Sequence, residues 1–574
     1  EEIGFLSLLS NLALTENELS GTVPTSLGSL TGLQKLDLSS NSFGSTLPTE
    51  MGYLTELQQL HLYDNDLLGE VPSQIGMLSN VEIMDISTNR LTFALPSEIG
   101  RLAKLQTFSG HNNSLLGPLA SEIGRLTSLE KCMLNDNYIF GSLPDEIGRL
   151  VKLQSLDLSN NLLTGELPGT MKLLNKMSTL RLSGNFFSGS LLDNTPIPSM
   201  RGLVELDLSN NFFIGTLSKA MLTYPYLEQL NLSSNKFSGL INLPFVDRMI
   251  QLQVLDLSSN QFTGQMRSEL GLLTNLKTID FSECSFSGSI PSEIGFLSRL
   301  ASFNVAGNSL GGLLPSQLWA LTDLTTLNLS YNDFDVSTFP TELVSLTALR
   351  EFGISENAVT GTIPPELSFL SELRILAMSG NSLSGPLPSE IGAMGSLQYI
   401  DVSQNWINGS LPSEIFALSQ LATFLAYSNS LSGPVPTEFG LLSRLGRLEL
   451  YSNELNGPIP SELGLLSGLE YVDLRNIGLS GPIPSQIGLL SRLQSLSLAG
   501  EGTIGPLPSE LGQLTKLAYL NLNLLALSGT IPTQLGMLSI LTDLRLKNNY
   551  FMGSLPSEIG LMTDMIYLQI EGNP

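Results

Sequence analysis

"LQKLDLSSNSFGSTLP" at residues 33–48 returns as "LQSLDLSNNLLTGELP" at 153–168 and "LRILAMSGNSLSGPLP" at 373–388. Aligned on Asn41, Asn161 and Asn381, these segments set a register that runs through all 574 residues. The anchor position falls 24 times, from Asn17 to Asn573, nearly always 24 residues apart. A period of that length marks supersecondary units stacked on their neighbours, so residues 1–574 read as one continuous solenoid of about 24 repeats and not as a string of globular domains.

Within a repeat, Leu36, Asp37, Leu38 and Ser39 alternate apolar and polar, the period of a strand with one buried face. The anchor Asn carries an amide that can hold the backbone groups left open where the chain turns out of the strand. A Gly stands four residues after the anchor in 20 of 23 complete spacers, which suits a sharp turn. Pro stands at anchor plus seven in seventeen of them, followed by a short helical or 3₁₀ turn.

The pattern LxxLxxLxLxxNxLSGxIPxxLGxL resembles the plant-type class of extracellular leucine-rich repeats along essentially the whole chain. The "LPSEIG" phrasing, as at 95–100, is similar to that of repeat proteins of algae such as diatoms. The resemblance implies an α/β solenoid: a right-handed leucine-rich repeat superhelix with a parallel β-sheet on its concave face. Short 3₁₀ or helical turns and second short strands would lie on the convex side. It also implies an extracellular or cell-surface setting and a role in recognition, though the class spans receptor ectodomains, enzyme inhibitors and wall proteins.

Composition narrows the functions. With 27 basic against 53 acidic residues the net charge is −26, which excludes the basic face of a nucleic-acid binder. Apolar runs such as "IGFLSLL" break well before the ~18 residues a membrane span needs, so any membrane attachment is expected through an anchor outside this segment. Neither end carries the cysteine-paired cap that the resemblance implies. The expectation is an ordered part of a longer chain, with end-to-end stacking of copies as the alternative.

Departures from the repeat are where function is sought. The anchors Cys284, Ile477, Glu501 and Leu525 are not Asn, and the last three mark an irregular stretch at about 475–530. A second irregular stretch spans about 186–270, where Leu192, Ser218, Asn242 and Arg267 replace the Pro. Cys132 and Cys284 lie six repeats apart, ~29 Å by strand spacing, and are expected to be free and buried.

Residues six, four and two before each anchor should face solvent on the strand face. In the middle repeats they are short pairs such as Asp256 with Ser258 and Asp280 with Ser282, which allow at most a weak Ca²⁺ association and otherwise no cofactor. Toward the C-terminus the same columns hold Tyr399, Tyr427, Arg447, Tyr451, Tyr471, Arg475, Tyr519, Arg545, Lys547 and Tyr567. Tyr and Arg are the residues that binding hot spots use, so these ten form the candidate site for a peptide, protein or glycan. Arg545 and Lys547 resemble the basic pair with which peptide-hormone receptors of this class hold a peptide carboxylate.

His61, Asp85 and Ser109 share one column, but with Asp in the middle their order is wrong for a catalytic triad, and an open strand face has no oxyanion pocket. No enzyme and no metal site is expected. Sequons at Asn112, Asn231, Asn328 and Asn408 are candidate glycosylation sites. The leading reading is an extracellular recognition module, receptor-like or adhesive; the alternative is a structural matrix, cell-wall or filament protein.

Fourteen of the turns that follow the Pro carry Glu, from Glu50 to Glu558. A carboxylate there is expected to meet free backbone N–H groups at the start of the turn. Stacking makes these residues a like-charged column that salt or divalent cations should screen.

Overall fold

The computed structural model describes residues 2–191, 197, 200–217, 224–241, 249–337, 339–500 and 502–574. Two compact units, Glu1–Ser287 and Gly288–Pro574, are each a leucine-rich repeat solenoid. Unit 1 carries twelve three-residue strands in parallel register, from Asn11–Ala13 to Thr278–Asp280, and unit 2 carries twelve from Ser302–Asn304 to Tyr567–Gln569. Pairing is one repeat to the next, as in Lys35↔Gln59 and Leu36↔Leu60, so columns read from the sequence are physical columns.

The core repeats as the sequence does. In one repeat Leu33, Leu36, Leu38, Phe43, Leu47, Met51 and Leu54 are all buried, each worth roughly 1.5–3 kcal/mol relative to exposure. Between residues 186 and 262 the core holds a stack of phenylalanines. Phe187, Phe213, Phe237 and Phe262 follow one another at ring-centroid distances of 6.2, 6.1 and 6.1 Å. The described part of this stretch therefore keeps a regular strand side. Arg267 substitutes for Pro at a turn start in extended conformation, whereas Leu192, Ser218 and Asn242 lie outside the described residues.

The anchor amide holds two repeats at once. Asn137 Nδ2 donates to the carbonyls of Gly110, Leu134 and Asn135, at 3.0, 3.2 and 3.1 Å, and its Oδ1 accepts the Leu115 N–H at 2.9 Å. Cys284 keeps one of these bonds, from Sγ to the Leu257 carbonyl at 3.4 Å. Both cysteines are free, but only Cys132 is fully buried; Cys284 is half-buried. Burial pushes their thiols up to about 12 and about 11, respectively. At Ile477 the amide is gone; the next anchor position, 501, has no Asn either, and the Leu479 N–H that such an Asn would hold bonds the Ile477 carbonyl at 2.8 Å. Around there the second-strand ladder stops at Gly478–Ser480 and resumes at Ile504–Pro506, joined by a single bridge between Gly481 and Thr503. Glu501 lies outside the described residues.

One feature was not expected. Every anchor follows a residue of positive φ: nineteen are non-glycine, such as Ser40 at 51° and Tyr331 at 55°, and five are Gly. The residue type varies because the backbone is held from outside: the Ser40 N–H bonds the Tyr63 carbonyl of the next repeat at 2.9 Å. The helical turns are 3₁₀ throughout the described residues, as in Ser97–Arg101, where Leu102 N–H reaches the Ile99 carbonyl. Five residues between Pro and the next core Leu leave too little chain for an α-helix.

The Glu expectation is corrected in its partner. In twelve of the fourteen turns the carboxylate accepts the hydroxyl of the Ser or Thr before it, as Glu98 does from Ser97 at 3.3 Å and Glu390 from Ser389 at 3.0 Å. The exceptions, Glu146 and Glu366, follow Asp145 and Pro365, which have no hydroxyl.

Candidate functional site

All ten candidate residues lie in unit 2 and on its strand face. Parallel pairing brings them into contact in two columns. Along one, Tyr427 and Tyr451 stack with ring centroids 4.5 Å apart and planes 6° from parallel. The Arg475 guanidinium continues this stack 4.9 Å from the Tyr451 ring centre. Along the other, Arg447 lies 5.4 Å from the Tyr471 ring centre, and Arg545, one column over between Asn521 and Gln569, reaches in between Tyr519 and Tyr567 at 5.3 and 5.0 Å. Each such cation–π contact adds about 0.5–1 kcal/mol where exposed. Tyr399 begins the row, half-buried, its hydroxyl donating to Asp401 Oδ2 at 3.4 Å.

The sequence reading did not identify the acids that position these cations. Arg475 Nε lies 2.9 Å from both carboxylate oxygens of Asp473, and Arg545 forks onto Asp543 at 2.9 and 2.8 Å. Arg447 pairs with Glu449 at 2.6 Å and Lys547 with Glu571 at 3.1 Å. Alternating basic and acidic residues in "RLEL", "DLRN" and "DLRL" were the available signal, since residues two apart on a strand share its face. Arg545 and Lys547 thus already hold carboxylates of their own chain, unlike a basic pair left open for a peptide terminus.

These contacts also set the chemistry of the face. Hydrogen bonding to Asp473 and Asp543 holds Arg475 and Arg545 further into their charged forms. Burial, then Asp401, raises the Tyr399 phenol to about 12, and burial, then Tyr427, does the same for Tyr451. Both therefore stay protonated donors at neutral pH. Each cation has an acid at its side, so the row is a charge-balanced strip of ring faces and polar edges.

The strand face of unit 1 differs. Asp157, Asp207, Asp256 and Asp280 each accept the hydroxyl of the Ser two residues on, at 2.6 to 2.7 Å, a role Asn231 fills for Ser233 at 2.7 Å. Asp256 and Asp280 are neighbours in register, but among the described residues no three His, Cys, Asp or Glu converge as a metal site would need. His61, Asp85 and Ser109 do lie side by side on consecutive strands, and Asp85 spends its Oδ1 on Ser87. Asn112 and Asn408 are exposed, while Asn231 and Asn328 are half-buried on the strand face. Among the described residues no helix is long and apolar enough to cross a membrane.

Comparison with known proteins agrees with this fold. A leucine-rich repeat region model matches residues 209–367, and the single-repeat model matches 32–54, 152–174, 372–394 and 396–418. No curated protein sequence matches. Among solved structures, the plant peptide hormone receptor RGFR1 in complex with RGF2 is 32% identical, with 99% of this chain and 90% of that one covered and a TM-score of 0.82. The Arabidopsis receptor kinase HAESA, in complex with the peptide hormone IDA and the co-receptor SERK1, is 28% identical over 98% and 90%, with a TM-score of 0.73. PEPR1 with AtPEP1 is 28% identical over 98% and 89%, at 0.75. The chain belongs to the plant-type leucine-rich repeat family and is built like the ligand-binding ectodomains of its receptors. That is a kind of protein not usually enzymatic.

Proposed function

We propose that this chain is the extracellular recognition module of a receptor-like or adhesion protein. It binds a peptide, protein or glycan on the strand face of unit 2, between Tyr399 and Tyr567. The observation that carries the reading is the ladder of stacked Tyr and Arg, which presents preformed ring faces at little cost in side-chain entropy. The likeness to receptor ectodomains solved with peptide ligands supports it. Glycans on Asn112, Asn231, Asn328 and Asn408 belong to the same extracellular setting.

The test is retention of ligands selected from displayed peptide libraries and glycan arrays on the immobilised chain. Tyr451→Ala with Arg475→Ala should release them, whereas His61→Ala, on the strand face of unit 1, should not. Equal retention by the double variant sinks the reading.

A further inference from the structure

Trp406 and Asn408 share one exposed face. They stand two residues apart on the strand Trp406–Gly409, where exposure alternates: both are exposed and Ile407 between them is buried. This strand belongs to the six-stranded second sheet of unit 2, not to the sheet that carries the Tyr and Arg ladder. At the same places on the strands either side stand Ser382, Ser384, Ser430 and Ser432, with Ser384 paired to Trp406 and Ser430 to Asn408. These side chains are too short to cover an indole. Trp406 is 67% exposed and, among the described residues, has no ring or cation packed against it.

The four sequons are not equivalent. Asn408 and Ser410 are exposed, and Gly409 between them takes φ 76° where the chain turns off the sheet. Asn231 and Asn328 instead each accept the N–H of their own sequon serine on Oδ1, at 3.0 and 3.2 Å, and those serines, Ser233 and Ser330, are buried. Asn112 is exposed, but the residue two before it is Gly110, which offers no side-chain surface. Only Asn408 has an aromatic residue at that place; the others have Gly110, Gln229 and Thr326.

We infer that Asn408 is glycosylated and that Trp406 is the platform on which its first N-acetylglucosamine rests. In the transfer, Asn408 Nδ2 displaces the diphosphate from C1 of a lipid-linked oligosaccharyl diphosphate. The Nδ2–C1 bond forms, the C1–O bond breaks with its electron pair going to the leaving diphosphate, and Nδ2 gives up one proton to the transferase. A β-linked N-acetylglucosamine has a face of axial C–H groups, which complements the electron-rich face of an indole. Side chains two residues apart on a strand are roughly 6.6 Å apart, within the ~4.5–7 Å at which packed rings sit. The sugar joined to Asn408 therefore falls beside the indole, and covering it removes apolar surface from water. The inference rests on the extracellular reading, which takes the chain through a secretory pathway.

The experiment uses the chain secreted from a eukaryotic host that adds high-mannose glycans, trimmed by endoglycosidase H to one sugar per site. Mass mapping should find that sugar on Asn408. The only other tryptophan, Trp319, is 4% exposed, so acrylamide quenching of tryptophan fluorescence reads Trp406. The quenching constant should be roughly 2-fold lower in the trimmed protein than in Asn408→Gln, since a packed sugar covers one of the two ring faces. In NMR spectra of the trimmed protein one N-acetyl methyl signal should lie upfield, shifted by the indole, and return to its ordinary position in Trp406→Ser. A bare Asn408, equal quenching of the trimmed protein and Asn408→Gln, or a methyl signal indifferent to Trp406→Ser overturns the inference. In that event, a sugar on any of the four sequons leaves the extracellular reading standing, and four bare sequons remove both.

Discussion

Gly52 lies under Gln74 of the next repeat so closely that a Cβ built on it would stand 2.6 Å from the Gln74 carbonyl oxygen. Gly28 meets Glu50 in the same way, and Gly76, Gly100 and Gly124 meet Glu98, Glu122 and Glu146. The Gly of "SEIG" is therefore a stacking residue, and its obstacle is backbone that cannot turn aside. Gly52→Ala should cost about 1–3 kcal/mol, as overpacking does. Gly395→Ala, with nothing near its Cβ, should be neutral or gain about 0.4–1 kcal/mol through the unfolded state. Denaturant midpoints of the two variants check this, and equal values would contradict it.

Asn137→Ala removes four hydrogen bonds to buried backbone groups. At about 1 kcal/mol each, the expected loss is roughly 3–4 kcal/mol. Exposed Asn408→Ala should stay within about 0.5 kcal/mol. Chemical denaturation distinguishes them.

Asp256 is predicted to make stability fall with rising pH. Burial first, then the charge of Asp280, raises its pKa above the ordinary carboxylate value, against the opposing bonds from Ser258. The folded chain therefore binds this proton more tightly than the unfolded chain. Its contribution weakens as pH rises from the unfolded value through the folded one, and at neutral pH the ionised group is a cost. Asp256→Asn can still accept the Ser258 bonds, as Asn231 accepts those of Ser233. It should raise the melting temperature at pH 7 and give no gain below the carboxylate range.

The partly exposed Glu column should make melting temperature rise with NaCl through screening. CaCl₂ at equal ionic strength tests the weak Ca²⁺ association: an extra rise means cations bind the acidic columns. A flat response to both salts shows carboxylates too far apart to repel.

Phe93 stands where twenty repeats have Gly, at φ 63° and 61% exposed. The left-handed conformation costs a non-glycine residue about 1–2 kcal/mol, of which Gly returns part as unfolded-state entropy. Phe93→Gly should therefore stabilise the chain by about 0.5–1 kcal/mol in thermal melts.

The 24-residue period, the buried Leu and Asn columns, the turn Gly at anchor plus four and the membership of the strand face all follow from the sequence. Each is set inside one repeat by side-chain period and turn chemistry, and Leu36, Asn41 and Tyr451 fall where the register puts them. What faces what across repeats came only from the tertiary structure. The seat of Arg475 on the Tyr451 ring, the stack of Tyr427 on Tyr451 and the close approach of Gly52 to Gln74 depend on side-chain rotamers and on backbone about 24 residues away. So does the left-handed residue before every anchor, which almost any side chain fills because the next repeat's carbonyl holds its N–H.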